Sequence, residues 1–356
     1  MSPRVSAAHV PAARVPAARG ITIRVGSLSL RVDRRVILFT GICVSALVIF
    51  ALLSLVLGSY SLTPGEVLQA LAGSGDERSV RTVRGRRLPR LLCALLVGAA
   101  LGAAGCVFQS LSRNALGSPD IIGFTTGAAT GAVAQITLFG GGTLETALAA
   151  VVGGLVTAFV VYLIARKNGV TGGIRLVLVG IGIGSIMAAI TDLLLVRAGI
   201  VQAAAAQVWQ SGSLTGRGWP HAWSLLVAVG ILLPLLSLLA RQLRMIEMGD
   251  DVATSLGIRV ERIRFGVLVV GVLLTGVATA AAGPIAFVAL AAPQIINQLV
   301  RRGSVHIVLS SLMGAILLAA ADLVSQHVDL GLRMPIGIVT SLLGGLYLVW
   351  LLGRRI

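Results

Sequence analysis

Apolar residues run along this chain in blocks of about twenty, long enough to cross a hydrocarbon layer roughly 30 Å thick as helices. The blocks fall at about 36–58, 91–111, 121–140, 147–165, 174–197, 222–242, 264–282, 284–299, 305–327 and 336–352. This pattern predicts an all-α polytopic membrane protein of about ten transmembrane helices. The sharpest interruption is the polar island 245–264, MIEMGDDVATSLGIRVERIR, too charged to sit in a bilayer. Within it Gly249 breaks the chain, Asp250 is placed to cap a helix start, Asp251 lies near the positive helix end, and Gly257 suits a left-handed stop. That predicts a helix of about two turns, marginal alone in water, so Val252, Ala253 and Leu256 on one face are expected to find a surface. The island reads as a docking peg; the alternative is an exposed loop containing a turn.

The polar segments between blocks carry further signals. After the first block, Thr63 before Pro64 and Glu66 predicts a short capped helix. Six arginines then fall within residues 78–90, directly before the second block. The segments 97–111 (VGAALGAAGCVFQSL) and 275–290 (TGVATAAAGPIAFVAL) echo each other at an offset of 178, in spans expected to run in opposite directions. This predicts an inverted internal repeat. Small residues are common wherever membrane helices pack, so coincidence is the alternative.

Composition agrees with the block pattern: of 356 residues 56% are hydrophobic and 12% charged, with mean hydropathy +0.96. The net charge of +16 would suggest nucleic acid in a soluble chain. Here the basic residues cluster between apolar blocks, so no nucleic-acid partner is expected and the positive-inside bias explains the charge. With both termini cytoplasmic and ten spans, 20 basic residues fall inside and 9 outside. The arginines of 78–90 then lie outside against the bias, which suggests a partner with acidic groups, or else a plainly solvated loop. Residues 1–35, with a PAARVPAAR repeat, predict a disordered cytoplasmic arm, and 36–356 the transmembrane domain.

Chemistry-bearing residues are few. Cys43, Cys93 and Cys106 fall inside blocks without paired spacing and read as packing residues. His9, His221, His306 and His327 are scattered, so no metal site is expected. The single lysine, Lys167, sits in no phosphate-binding loop, and no catalytic set is visible, so the chain is expected not to be an enzyme. Asp192 and Asp322 lie within blocks; isolated from His or Lys partners, they fit structural hydrogen bonding better than a proton relay. Gly283-Pro284 and Pro293 predict helix breaks lined by protein or a cavity.

The ordered segments RLPR (87–90), GAALGAAGCVFQSLSRNALGSPDIIGFTTGA (98–128), VWQSGSLTGRGW (208–219), MGDDVATSLGI (248–258), GPIAFVALAAPQIINQLVR (283–301), ADLVSQH (321–327) and MPIGIVTSLLGGLYLVWLL (334–352) carry a resemblance. Over about 60–352 the chain resembles the FecCD-type permeases, the membrane subunits of ATP-binding-cassette importers for iron-siderophores, haem and cobalamin. The resemblance implies a bacterial cytoplasmic membrane protein, a second permease subunit, two cytoplasmic ATPases that bind the ATP and Mg, and an extracytoplasmic siderophore-binding protein. Apart from membrane lipid, no cofactor is implied for the chain itself. It assigns Gly249, Asp250, Asp251, Val252, Ala253, Leu256 and Gly257 to ATPase coupling, and Arg87 and Arg90 to docking of the binding protein. Two departures matter. Pro293-Gln294 stands where many members have ProHis, a variant associated with the second subunit of heteromeric ferric-siderophore permeases. Gln326 stands near a position often basic, with Arg333 close by as a third docking candidate. A heterodimer is therefore favoured over a homodimer.

The expectation is an importer subunit moving a ferric-siderophore inward by alternating access, along a path to which Thr125, Thr126, Ser185, Thr191, Pro284 and Pro293 are candidate contributors. The same architecture importing haem or cobalamin is the alternative, and a proton-coupled secondary transporter using Asp192 and Asp322 a more distant one.

Overall fold

A computed structural model describes residues 20–25, 28–58, 60–120, 122–140, 142–167, 170–171, 173–300, 305–327 and 334–353. Residues 1–19 of the expected arm and Arg333 lie outside them. The rest of the arm departs from the expectation of disorder: β1 (Gly20–Val25) and β2 (Leu28–Asp33) pair antiparallel, Gly20 opposite Asp33. The alternation of Ile, Val and Leu with Thr, Ser and Arg in GITIRVGSLSLRVD is a strand period that the Ala-Pro-Arg composition of the preceding segment masked.

Helix α1 (Arg34–Val56) follows, then the short α2 (Pro64–Ala72) and α3 (Glu77–Thr82). A π turn, Val83–Arg87, joins α3 without a break to α4 (Leu88–Ser112). Next come α5 (Phe124–Ala134) with its own π turn Gln135–Phe139, α6 (Thr143–Ala165), a minimal pair β3 (Arg166–Lys167) and β4 (Val170–Thr171), and α7 (Gly173–Arg197). Then follow α8 (Ile200–Gln210), α9 (Trp219–Glu247), α10 (Asp250–Ser255) and α11 (Val260–Ala282). Helices α12 (Val288–Val300), α13 (Ile307–His327) and α14 (Ile336–Gly353) complete the chain.

Seven helices among the described residues are long and apolar enough to cross a membrane: α1, α3 continued through α4, α6, α7, α9, α11 and α13. Of the ten expected, the other three are shorter, α12 and α14 as apolar helices and α5 completed by its π turn.

Burial sets the architecture. The apolar window of α4 is 78% buried and that of α1 only 6%, so α4 is the axis of the bundle and α1 a peripheral helix. Backbones touch where side chains are absent: a Cβ on Gly98 would fall 2.3 Å from the Gly314 carbonyl oxygen of α13, and one on Gly105 1.7 Å from that of Ala289 in α12. Without hydrophobic drive between helices in lipid, such small-residue contact lets dispersion hold α4, α12 and α13 together. Cys43, Cys93 and Cys106 are buried and free, as packing residues should be.

The break expected at 283–284 is present: α11 ends at Ala282, and Gly283 takes φ +75°. The freed groups meet protein, Ser213 N donating to the Ala282 carbonyl at 2.7 Å. Pro293 corrects the expectation. It lies buried inside an unbroken α12, where neighbouring helices in a membrane bundle tolerate the lost hydrogen bond. The two echoing segments also differ locally, since 97–111 is continuous helix whereas 275–290 contains this break.

Candidate functional site: two opposed polar faces joined by α4

The candidate residues gather at the two ends of α4. One end, the arginine face, carries α2, α3 and the π turn; the other, the peg face, carries α10 with the ends of α9 and α11.

On the arginine face, Thr63 and Glu66 form the expected capping box: Glu66 N donates to the Thr63 hydroxyl, and Thr63 N donates to Glu66 Oε2 at 2.7 Å. These bonds hold the Glu66 carboxyl below the usual carboxylate range, the backbone bond from Thr63 contributing most. Arg84 donates to the Leu71 carbonyl through Nε at 3.1 Å and Nη2 at 2.8 Å, tying the π turn to α2.

Arg87 and Arg90, the expected docking residues, are both hydrogen-bonded within the chain. Arg87 Nη1 donates to the carbonyls of Leu55 at 2.6 Å and Val56 at 3.1 Å, and Nη2 donates to that of Tyr60. It thereby satisfies carbonyls that the end of α1 leaves without intrahelical partners. Arg90 forks onto Asp322 of α13, Nη2 to Oδ1 at 2.8 Å and Nε to Oδ2 at 3.1 Å, while Gln326 Nε2 donates to Oδ2 at 2.7 Å. The Asp322 side chain is 4% exposed. A carboxylate so buried needs a cation and further donors, and it has both. This is the structural bonding expected of Asp322, with Arg90 and Gln326 as its partners. A polar cavity of about 350 Å³ remains beside the pair, with Arg78, Arg86, Tyr60 and Gln326 in its wall. Arg86 is exposed, and Arg78 stacks 5.0 Å over the Tyr60 ring.

On the peg face, α10 spans six residues and its N-cap is Gly249, which makes no side-chain cap. The expectation that Asp250 caps the helix is corrected: it is the first helical residue, and its carboxylate reaches across to Arg113 Nη2 at 2.7 Å and Arg264 Nη2 at 2.9 Å. Only Ala253 of the expected apolar face is buried. Val252 is 44% exposed, Leu256 61% and Met248 72%. The peg thus presents its apolar surface outward, which a six-residue helix can do only because Gly249 (φ +125°) and Gly257 (φ +80°) allow the chain to turn sharply on either side. Asp251 is exposed. Beside the peg, Gln109 Nε2 donates to the Leu290 carbonyl at 3.0 Å and Gln294 Nε2 to that of Ala115, so Gln294 fastens α12 to the loop after α4.

The path candidates are brought together only in part: Thr126 and Thr191 meet through Thr130, whose hydroxyl donates to the Thr126 carbonyl and lies 2.8 Å from the Thr191 hydroxyl. Thr125 donates to Asp120, whose carboxyl burial pushes above the usual range, and Thr126 donates to the Gly123 carbonyl. Thr191 is buried, 2.8 Å from Thr130. Ser185 is exposed on α7, as is Asp192 seven residues on, while Pro284 and Pro293 sit in the packed regions described above. Among the described residues, no group of three His, Cys, Asp or Glu is placed to hold a metal ion. Sequence reasoning missed Arg113 and Arg264; each stands at the end of an apolar block, a place where arginines are common for reasons of topology alone.

Residues 46–354 match the FecCD transport family. The chain belongs to the FecCD transport family. It is 42% identical over 321 residues to the ferric enterobactin transport system permease protein FepG of Escherichia coli, covering 90% of this chain and 97% of that protein. It is 38% identical over 310 residues to the achromobactin transport system permease protein CbrC of Dickeya dadantii, covering 85% and 87%. A solved structure described as an inward-facing conformation of a metal-chelate type ABC transporter superposes with a TM-score of 0.79 at 26% identity, covering 89% of this chain and 99% of that one. FecCD membership extends over both faces, the six arginines and the peg alike.

Proposed function

We propose that this chain is a permease subunit of an ATP-binding-cassette importer that carries a ferric-siderophore across the bacterial cytoplasmic membrane. The observation that carries the reading is identity of 42% across nearly the whole of a ferric enterobactin permease. The geometry supports it from both ends. An exposed apolar peg held on two glycines suits docking into a cytoplasmic ATPase, which would bind the ATP and Mg, and the opposite face gathers arginines where an acidic binding protein would arrive. Arg78, Arg81, Arg84 and Arg86 are exposed on that face; Arg90 is available to a partner's carboxylate only in competition with Asp322. In this reading the peg face is cytoplasmic, both termini lie on that side, and a second FecCD-type subunit completes the path, a different chain being favoured by Gln294.

The test is uptake by vesicles holding this chain with its cognate second permease, ATPase and binding protein. ATP-dependent entry of radiolabelled ferric-siderophore is expected. Uptake of cobalamin or haem alone would move the substrate to the alternative, and uptake that follows a proton gradient with the ATPase left out would overturn the reading.

A further inference from the structure

Resting on the permease reading above, we propose that Asp250 is a positioning residue that gears α10 to the bundle, passing displacement of the peg to α4, α9 and α11 through a single carboxylate. The peg is otherwise loosely attached. A Cβ on Gly249 or on Gly257 would meet nothing within 4 Å, and Ala253 is the buried residue of the helix. A helix of this length has little stability of its own, so a push on it moves the bundle only through what grips it.

Asp250 supplies that grip in three directions. Arg113 Nη2 binds its Oδ1 at 2.7 Å and also the Ile246 carbonyl at 3.1 Å, joining α10 to the end of α4 and the last turn of α9. Arg264 Nη2 binds Oδ1 at 2.9 Å and Oδ2 at 3.1 Å, while its Nη1 holds Glu261 at 2.8 Å, joining α10 to the start of α11. The Arg264 side chain is 9% exposed and so belongs to the bundle, whereas Asp250 is 37% exposed and belongs to the peg. Arg113 is one of two non-glycine residues among those described with positive φ, +48°. A left-handed arginine at the end of α4 costs energy that glycine would not, and its guanidinium bonds to both α9 and α10. Because α4 is locked by backbone contact to α12 and α13, displacement of its peg-face end is not absorbed along its length.

The test uses the assembled importer in vesicles and reads two quantities, recovery of the ATPase with the permease and chelate transported per ATP hydrolysed. Asp250→Asn is expected to keep ATPase recovery and hydrolysis while transport per ATP falls by about tenfold, inside the range usual for coupling between sites. Asp250→Glu is expected to restore most of the loss. The double variant Asp250→Asn with Arg113→Gln is expected to be no worse than Asp250→Asn alone, since both remove the same link. Unchanged transport per ATP in Asp250→Asn overturns the proposal, as does a double variant whose loss is the product of the two single losses. Loss of ATPase recovery in Asp250→Asn also overturns it, making Asp250 a docking residue and leaving the permease reading intact. Failure of the unaltered chain to recover any ATPase would instead remove that reading.

Discussion

The two ends of α4 use the same chemistry, arginine against carboxylate, to opposite effect. At the arginine face, Arg90 meets an Asp322 that is 4% exposed and braced by Gln326, while Arg87 is spent on the end of α1. There α2 is closed at its start by a capping box and at its end by a left-handed Gly73. At the peg face, Arg113 and Asp250 are 49% and 37% exposed, and α10 has no side-chain cap. Burial decides the difference. A pair whose carboxylate is desolvated and bonded by several donors fixes two helices, because parting them strands a charge, whereas a half-solvated pair can exchange partners with water at small cost. The first face is held by a buried carboxylate, whereas at the second the carboxylate is the exposed partner and the buried Arg264 anchors it to the bundle.

That contrast needs α4 to be stiff between its ends, and the largest expected effect tests this. Gly98, Gly102 and Gly105 would each place a Cβ within 2.3 Å of a carbonyl oxygen on α13 or α12, backbone that no rotamer change can move aside. Gly105→Val is therefore expected to abolish recovery of monodisperse protein from detergent extracts, an overpacking cost beyond the ordinary range of roughly 1–3 kcal/mol. Gly345→Ala, where a Cβ meets nothing within 4 Å, is expected to leave recovery unchanged. A monodisperse Gly105→Val with the parent's melting temperature would mean that α4 flexes, and the comparison of its ends would lose its basis.

The next effect separates the faces directly. Asp322→Ala leaves Arg90 without its carboxylate in a site where the Arg90 side chain is 23% exposed. A loss of about 2 kcal/mol is expected, less than for a fully buried pair because water reaches the guanidinium. Asp250→Asn on the peg face is expected to cost under about 1 kcal/mol in the same thermal unfolding assay, despite removing the charge that faces two arginines. Equal losses would show that burial does not distinguish the two ends.

What could be read from the chain follows the same division. The apolar blocks, the capped α2 at Thr63 and Glu66, and the break after Ala282 depend on neighbours within a few residues, so sequence spacing reveals them. The pairing of Arg90 with Asp322 spans 232 residues and that of Arg113 with Asp250 spans 137. No local pattern encodes a partner at such a distance, and an arginine beside an apolar block has the topological explanation ready to hand. Asp250 was misread for a related reason. An acid after Gly249 suits a cap, but the cap position fell to the glycine itself, which left the carboxylate free to reach across helices. Pro293 looked like a break because a proline in a soluble helix usually is one; between packed helices it is accommodated.

The smallest expected effect concerns the cap that one face has and the other lacks. Thr63 donates its backbone N–H and its hydroxyl to Glu66, and these bonds depress the carboxyl's pKa in the folded chain. The contribution of the cap is accordingly present above the ordinary glutamate pKa of about 4.3 and is lost as pH falls through the depressed folded value. Glu66→Gln keeps an acceptor for Thr63 but does not titrate. Amide exchange in α2, compared between parent and Glu66→Gln at each pH, is expected to show parent protection falling relative to the variant only at the acid end. A difference that stays flat from neutral to acid pH would mean that the carboxylate charge does not close α2. The arginine face would then owe its rigidity to the bonds of Arg84, Arg87 and Arg90.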